Sequence, residues 1–177
     1  MPGLVRLREF RMSLVYELTV PVFNKMLGAL LPILDKAAAF AAEKKFDEGV
    51  LFNARLAPDM FGFSRQVQIA ADFAKGAAAR LTGVEVPRYD DTEASFADLK
   101  ARIEKTLAFV NSVDRTGFED SASRSIQLSV AGKPLTLNGL DYLREYAFPN
   151  FYFHLSMAYA ILRNQGVALG KNDFLAR

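Results

Sequence analysis

The chain carries a single histidine, His154, and no cysteine. The missing thiols exclude disulfides, thiolate zinc sites, iron–sulfur clusters and a cysteine nucleophile together. The remaining polar chemistry centres on FPNFYFHLSMAYAILRNQG, residues 148–166, where the imidazole stands among apolar and aromatic neighbours. Three roles are open to it. A core histidine needs one hydrogen-bonded nitrogen, and Asn150, one helical turn away, is a partner of the right kind. A ligand pocket would combine the ring with nearby amides and a tyrosine. General acid or base catalysis suits its ordinary near-neutral pKa. No nucleophile or second titrating group is identifiable beside it, however, and the sequence has neither a GxSxG elbow nor a GxxxxGK[ST] phosphate loop.

Phe151, Tyr152, Phe153 and Tyr159 surround the histidine in sequence. Neighbouring helical residues point about 100° apart, so these rings cannot all face one cavity. Some must pack against the first helix or a second subunit. Arg55 either orients an acidic ligand or pairs with a carboxylate at the end of the fold.

The elements that must hold these residues are mostly helical by pattern. From about Val20 to Lys45, Val22, Phe23, Met26, Leu27, Leu30, Leu31, Ile33 and Leu34 recur every three or four residues. Thr19 and Pro21 read as the start of this first helix, and Pro32 should bend it one turn upstream. A second helix is expected to open at Pro58, with Asp59 at its positive end, and to stop at Gly83. Met60, Phe63, Val67, Ala70, Ala74, Ala77 and Leu81 form its seam. A third, roughly Glu93 to Val113, is capped by Thr92 and lined inside by Phe96, Leu99, Ile103, Leu107 and Val110. Between Arg124 and Leu137 the period changes to two, around a turn at Gly132, which predicts a β-hairpin. The last helix, about Leu140 to Asn164, is apolar nearly all round, is punctuated by Pro149 and ends at Gly166; it is expected to be the most buried. Phe174, in the tail VALGKNDFLAR, should fold back against the bundle.

The expected fold class is therefore all-α: an up-down four-helix bundle with a short β-hairpin inserted between helices 3 and 4, as one domain over residues 12–177 after a loose extension over 1–11. The 22 Lys and Arg residues are scattered and nearly balanced by 20 acids, which argues against a nucleic-acid partner. The uninterrupted apolar stretches fall short of the roughly 20 residues of a membrane span, and no secretory leader is read. The expected location is the cytoplasm, and surplus apolar helical surface points to a homodimer.

The blocks VPVFNKML, RLAPDMFGFSRQVQIAADFAK and YLREYAFPNFYFHLSMAYAILRNQGVALGKNDFL resemble the domain of unknown function 1993 family, within the DinB and YfiT-like superfamily. That resemblance implies a four-helix bundle, frequently dimeric, and in many members a divalent metal held by three histidines, one from the second helix and two, four residues apart, from the last. Carried over, His154 matches the second histidine of the last helix, with Arg163 nine residues on and Gly166 beyond. Asn150 stands at the first, and Gln66 is preferred to Gln68 in the second helix. Amides are poor transition-metal ligands, so no cofactor is expected. His154 is a weak metal candidate, and Asp59, seven residues before Gln66, is the nearest carboxylate. The ligand-binding candidates are Gln66, Asn150, His154 and Asp59. The expected function is a bundle with a degenerate metal site that binds a small molecule or protein partner without established catalysis. The alternative is a metal-dependent enzyme resembling thiol S-transferases or hydrolases.

Overall fold

The computed structural model describes the backbone of residues 2–177 and the side chains from Leu14 onward. The expected extension over 1–11 lies outside the residues whose side chains are described. The helix α1 (Pro2–Gly28) is followed after one residue by α2 (Leu30–Lys44). The break at Ala29 falls three residues before Pro32, whose missing N–H leaves the Gly28 carbonyl without its helical donor. Pro21, by contrast, does not start a helix: α1 runs through it. Burial of Val20 and Phe23 holds that turn against the proline, and Thr19 bonds back to the Val15 carbonyl at 2.6 Å. By length and hydropathy, Leu14–Lys44 could cross a membrane. Its apolar side chains Phe23, Leu27, Leu30, Ile33 and Leu34 are instead buried within the bundle.

After the single turn α3 (Gly49–Phe52), α4 spans Phe63–Thr82. It begins five residues later than Pro58 suggests, because Gly62 is extended (φ −70°, ψ 168°) and the Phe63 N–H is tied to the Ala54 carbonyl at 2.8 Å. Gly83, at φ 79°, ends it in the left-handed conformation expected of a helix-stopping glycine. α5 is Phe96–Ser112, capped by Ser95 rather than Thr92: the Ser95 side chain accepts from the Asp98 N–H at 3.1 Å, and Asp98 in turn accepts from the Ala94 N–H.

A 3₁₀ turn (Arg115–Phe118) leads to the antiparallel hairpin β1 (Ser125–Val130) and β2 (Lys133–Asn138). Its two-residue turn, Ala131 and Gly132, has φ of 50° and 78°, the geometry that matches the twist of the strands. Arg124, just before β1, donates to the carbonyls of Leu81 and Gly117, so the hairpin base caps the end of α4. The last helix is composite: α6 (Gly139–Asp141), a π-helical turn (Tyr142–Ala147) and α7 (Phe148–Asn164). Pro149 cannot donate to the Glu145 carbonyl, and the backbone widens just ahead of it.

The bundle's four helical rods are α1 with α2, α4, α5 and α7, with α4 packed most extensively on α7 and then on α5. Contrary to the expectation from hydropathy, α4 is more buried than the last helix: 13 of its 20 residues are buried, against six of 17 in α7. Alanines along α4 let its neighbours approach on several sides, whereas α7 has an outer face. Phe151 is fully buried and meets Phe23 edge-on at 4.8 Å. Phe148, Tyr152 and Tyr159 are half-buried against the core. The tail turns at Gly166 (φ 95°) into α8 (Lys171–Phe174), where Phe174 meets Tyr159 at 5.7 Å and Asp173 pairs with Lys36 at 2.6 Å.

Candidate functional site

α7 presents His154 toward α4, and α4 presents Gln66 to it. The His154 Nδ1 and Gln66 Oε1 lie 2.7 Å apart. The other end of the amide, Nε2, donates to the backbone carbonyl of Phe61 at 3.1 Å. A carbonyl can only accept, so it fixes which way the amide points. Oε1 must then face the ring, and the ring must carry its proton on Nδ1. Nε2 of His154 is consequently the lone-pair nitrogen. No described residue bonds it, and Arg102 Nε is the only buried side-chain nitrogen or oxygen left without a partner among the described residues; His154 Nε2 therefore keeps an opening to solvent.

Burial pushes the His154 pKa below its ordinary value, and the nearby Arg65 guanidinium adds to the effect. The imidazole stays neutral under physiological conditions. Phe73 stacks on it at 6.1 Å with planes 15° apart, and Phe153 meets its edge at 5.2 Å. Phe153 and Phe61 are both more than half exposed, at 52% and 58%. The Phe153 ring places an apolar edge beside the imidazole, and Phe61 is tied to the pair through its backbone carbonyl.

The other sequence candidates fare differently. Gln68 turns away to Glu93 and Arg65. Asn150 does not bond His154; its amide folds back onto the Tyr146 carbonyl at 2.7 Å, a local bond that competes with any ligand role. Asp59 is exposed in the loop before α4, because the helix starts after it, and it is not a dipole partner. Arg55 is exposed as well and donates to the Pro58 carbonyl. Among the described residues no three His, Asp or Glu side chains converge as a metal-binding group. One imidazole, one amide bonded at both ends and one amide turned aside do not fit the three-histidine metal of the superfamily.

Sequence reasoning missed the charged network on the other side of α4. Arg102, on α5, is buried, with Asp72, Asp91 and Glu93 all at 2.9–3.0 Å. Lys75 shares Asp72, and Arg65 reaches Asp91. Tyr89 lies between the ammonium groups of Lys75 and Lys105, 3.9 and 4.2 Å from its ring centre. These contacts lay the 83–95 loop back along the groove between α4 and α5. The legible signal was Arg102 standing between Leu99 and Thr106 on the inner stripe.

This geometry defines a DinB-like helical bundle in which an amide–imidazole pair spans the seam of the second and last helices. The comparisons agree: residues 15–175 match the family described as Domain of unknown function (DUF1993), and the chain belongs to it. It is also similar to the crystal structure of a DinB family member protein from Shewanella denitrificans, with 45% identity, 94% of each chain covered and a TM-score of 0.86. No curated protein matches the chain.

Proposed function

We propose that this bundle binds a small molecule at the Gln66–His154 pair, as a degenerate metal site converted to hydrogen bonding and without catalysis. The observation that carries this reading is the chain of bonds from the Phe61 carbonyl through Gln66 to His154. It sets one tautomer and leaves a neutral acceptor nitrogen with no described partner. The complementary ligand offers one N–H or O–H donor to Nε2 and an apolar or aromatic body to the exposed rings of Phe61 and Phe153. A metal-dependent transferase-like or hydrolase-like enzyme is disfavoured by the donor chemistry, since neutral amides replace the imidazoles such a centre needs.

Phenol and its donor-free counterpart anisole test the reading, followed through the ring nitrogens of the only histidine. Phenol is expected to move the His154 Nε2 resonance and anisole to leave it unmoved. Identical responses to the two probes would refute the hydrogen-bonding role. Near-stoichiometric zinc, nickel or manganese in protein purified without chelator or histidine tag, lost on His154→Ala, would overturn the degenerate-site reading itself.

A further inference from the structure

A cleft of about 300 Å³ lies between α4, the hairpin and the π-helical turn, lined by Asp72, Phe73, Arg80, Gln127, Ser129 and Tyr146. It is separate from the Gln66–His154 pair but shares a wall with it. The Phe73 ring stacks on His154 at one side and meets Tyr146 at 5.7 Å.

Arg80 is the unusual member. It is half-buried, yet it has no carboxylate within ion-pair distance among the described residues, and its guanidinium makes one long bond, 3.5 Å, to the Tyr142 hydroxyl. The neighbouring cations are all engaged: Lys75 and Arg102 on Asp72, Arg102 also on Asp91 and Glu93, and Arg124 on backbone carbonyls. A guanidinium carries five donors in a fixed fork, so most of those on Arg80 remain available to a ligand.

Gly76 shows where the side chain goes. A Cβ at this position would collide with the Arg80 guanidinium, so Arg80 folds back over the preceding turn of α4, toward Phe73 and the cleft. A glycine inside a helix costs about 1 kcal/mol relative to alanine, and here its missing side chain makes the room for that guanidinium. The opposite wall is the π-helical turn, a distortion that recurs at functional sites; it supplies Tyr146.

We propose that this cleft binds a small aromatic carboxylate, its carboxylate on the Arg80 fork and its ring against Phe73 and Tyr146. A planar fork matches a carboxylate through two parallel bonds. A single uncompensated cation with Asp72 in the same wall suits a monoanion and disfavours a phosphate dianion. The volume is at the lower end of the range for small-molecule sites, which fits one ring and a short acid arm.

Phenylacetate, phenylacetamide and inorganic phosphate serve as probes, titrated into the full chain by NMR. Phenylacetate is expected to shift the Arg80 side-chain Nε–H signal and the amides of Phe73 and Tyr146. Phenylacetamide and phosphate are each expected to bind at least tenfold more weakly, and Arg80→Gln to weaken phenylacetate at least tenfold. Ser129→Trp, at an exposed strand position, should obstruct the cleft without touching Arg80 and so give the same loss if Arg80→Gln fails to fold. His154→Gln should leave phenylacetate affinity within twofold, which separates this site from the imidazole pair. Equal affinity for acid and amide, tighter binding of phosphate, or full retention of affinity in a folded Arg80→Gln or Ser129→Trp variant would overturn the proposal.

Discussion

Replacing Gln66 by Glu should reverse the pH dependence that His154 gives to stability. In the native chain the folded imidazole has a lowered pKa, from burial first and Arg65 second. Its contribution is present in full above the unfolded value, near pH 6.5, and is lost as pH falls from there through the lowered folded pKa. While the folded ring stays neutral and the unfolded one is protonated, the loss approaches about 1.4 kcal/mol per pH unit. The ceiling is therefore about 2 kcal/mol at pH 5. Gln66→Glu puts a carboxylate 2.7 Å from Nδ1 in place of an amide oxygen, which favours the imidazolium and raises the folded pKa. The histidine contribution then becomes one that is present below the unfolded pKa and lost as pH rises through the raised folded value. The variant also leaves the Phe61 carbonyl without its donor, a pH-independent cost of about 1–3 kcal/mol. Urea denaturation at half-unit steps from pH 5 to 8 measures the slope, with His154→Gln as background. The readout is clean because the chain has no other histidine or cysteine. A Gln66→Glu variant with the same sign of histidine-dependent slope as the native chain would refute the tautomer argument.

Three further outcomes follow from the packing. Arg102→Met should cost about 2–4 kcal/mol in urea denaturation, less than a fully buried pair would lose, because Lys75, Arg65 and Gln68 remain to hold Asp72, Asp91 and Glu93. Gly76→Ala should keep or raise the melting temperature through helix propensity while abolishing phenylacetate binding, since the displaced group is the flexible end of Arg80; unchanged binding would show that Arg80 does not need that turn. Deleting residues 172–177 removes the Phe174–Tyr159 contact and the Asp173–Lys36 bridge and should lower the melting temperature by about 2–6 °C with helical circular dichroism intact.

The bundle, the hairpin and the stop signals at Gly83 and Gly166 were legible because each rests on a local rule: apolar period, turn chemistry or left-handed backbone. Helix starts were less so. Pro58 and Asp59 carry a start signal that the extended Gly62 overrides, and Ser95 takes the cap expected of Thr92 because its partner Asp98 lies three residues on. The preference for Gln66 over Gln68 followed from which face of α4 is apolar, and the 2.7 Å contact to His154 agrees with it. Asn150 shared the His154 face by spacing, but spacing does not reveal that its amide bonds Tyr146. The position of Arg102 hints at burial, but the partners of Arg80 and Arg102 could not be read from the sequence, because they depend on where α4 places Asp72 and where the 83–95 loop places Asp91 and Glu93.

The π-helical turn at Tyr142–Ala147 has an evolutionary reading. A π turn is an α-helix that has accepted one extra residue without unravelling. Excising one residue there would restore ordinary α geometry while leaving the helix on either side in place, His154 on α7 included. The change would fall on the turn itself, which carries the Tyr142 hydroxyl that touches Arg80 and the cleft residue Tyr146. A one-residue insertion at this turn can therefore reshape the cleft wall without disturbing the rest of the bundle. Homologues with and without that residue, aligned by the apolar period alone, would be out of register upstream of Pro149 and in register after it.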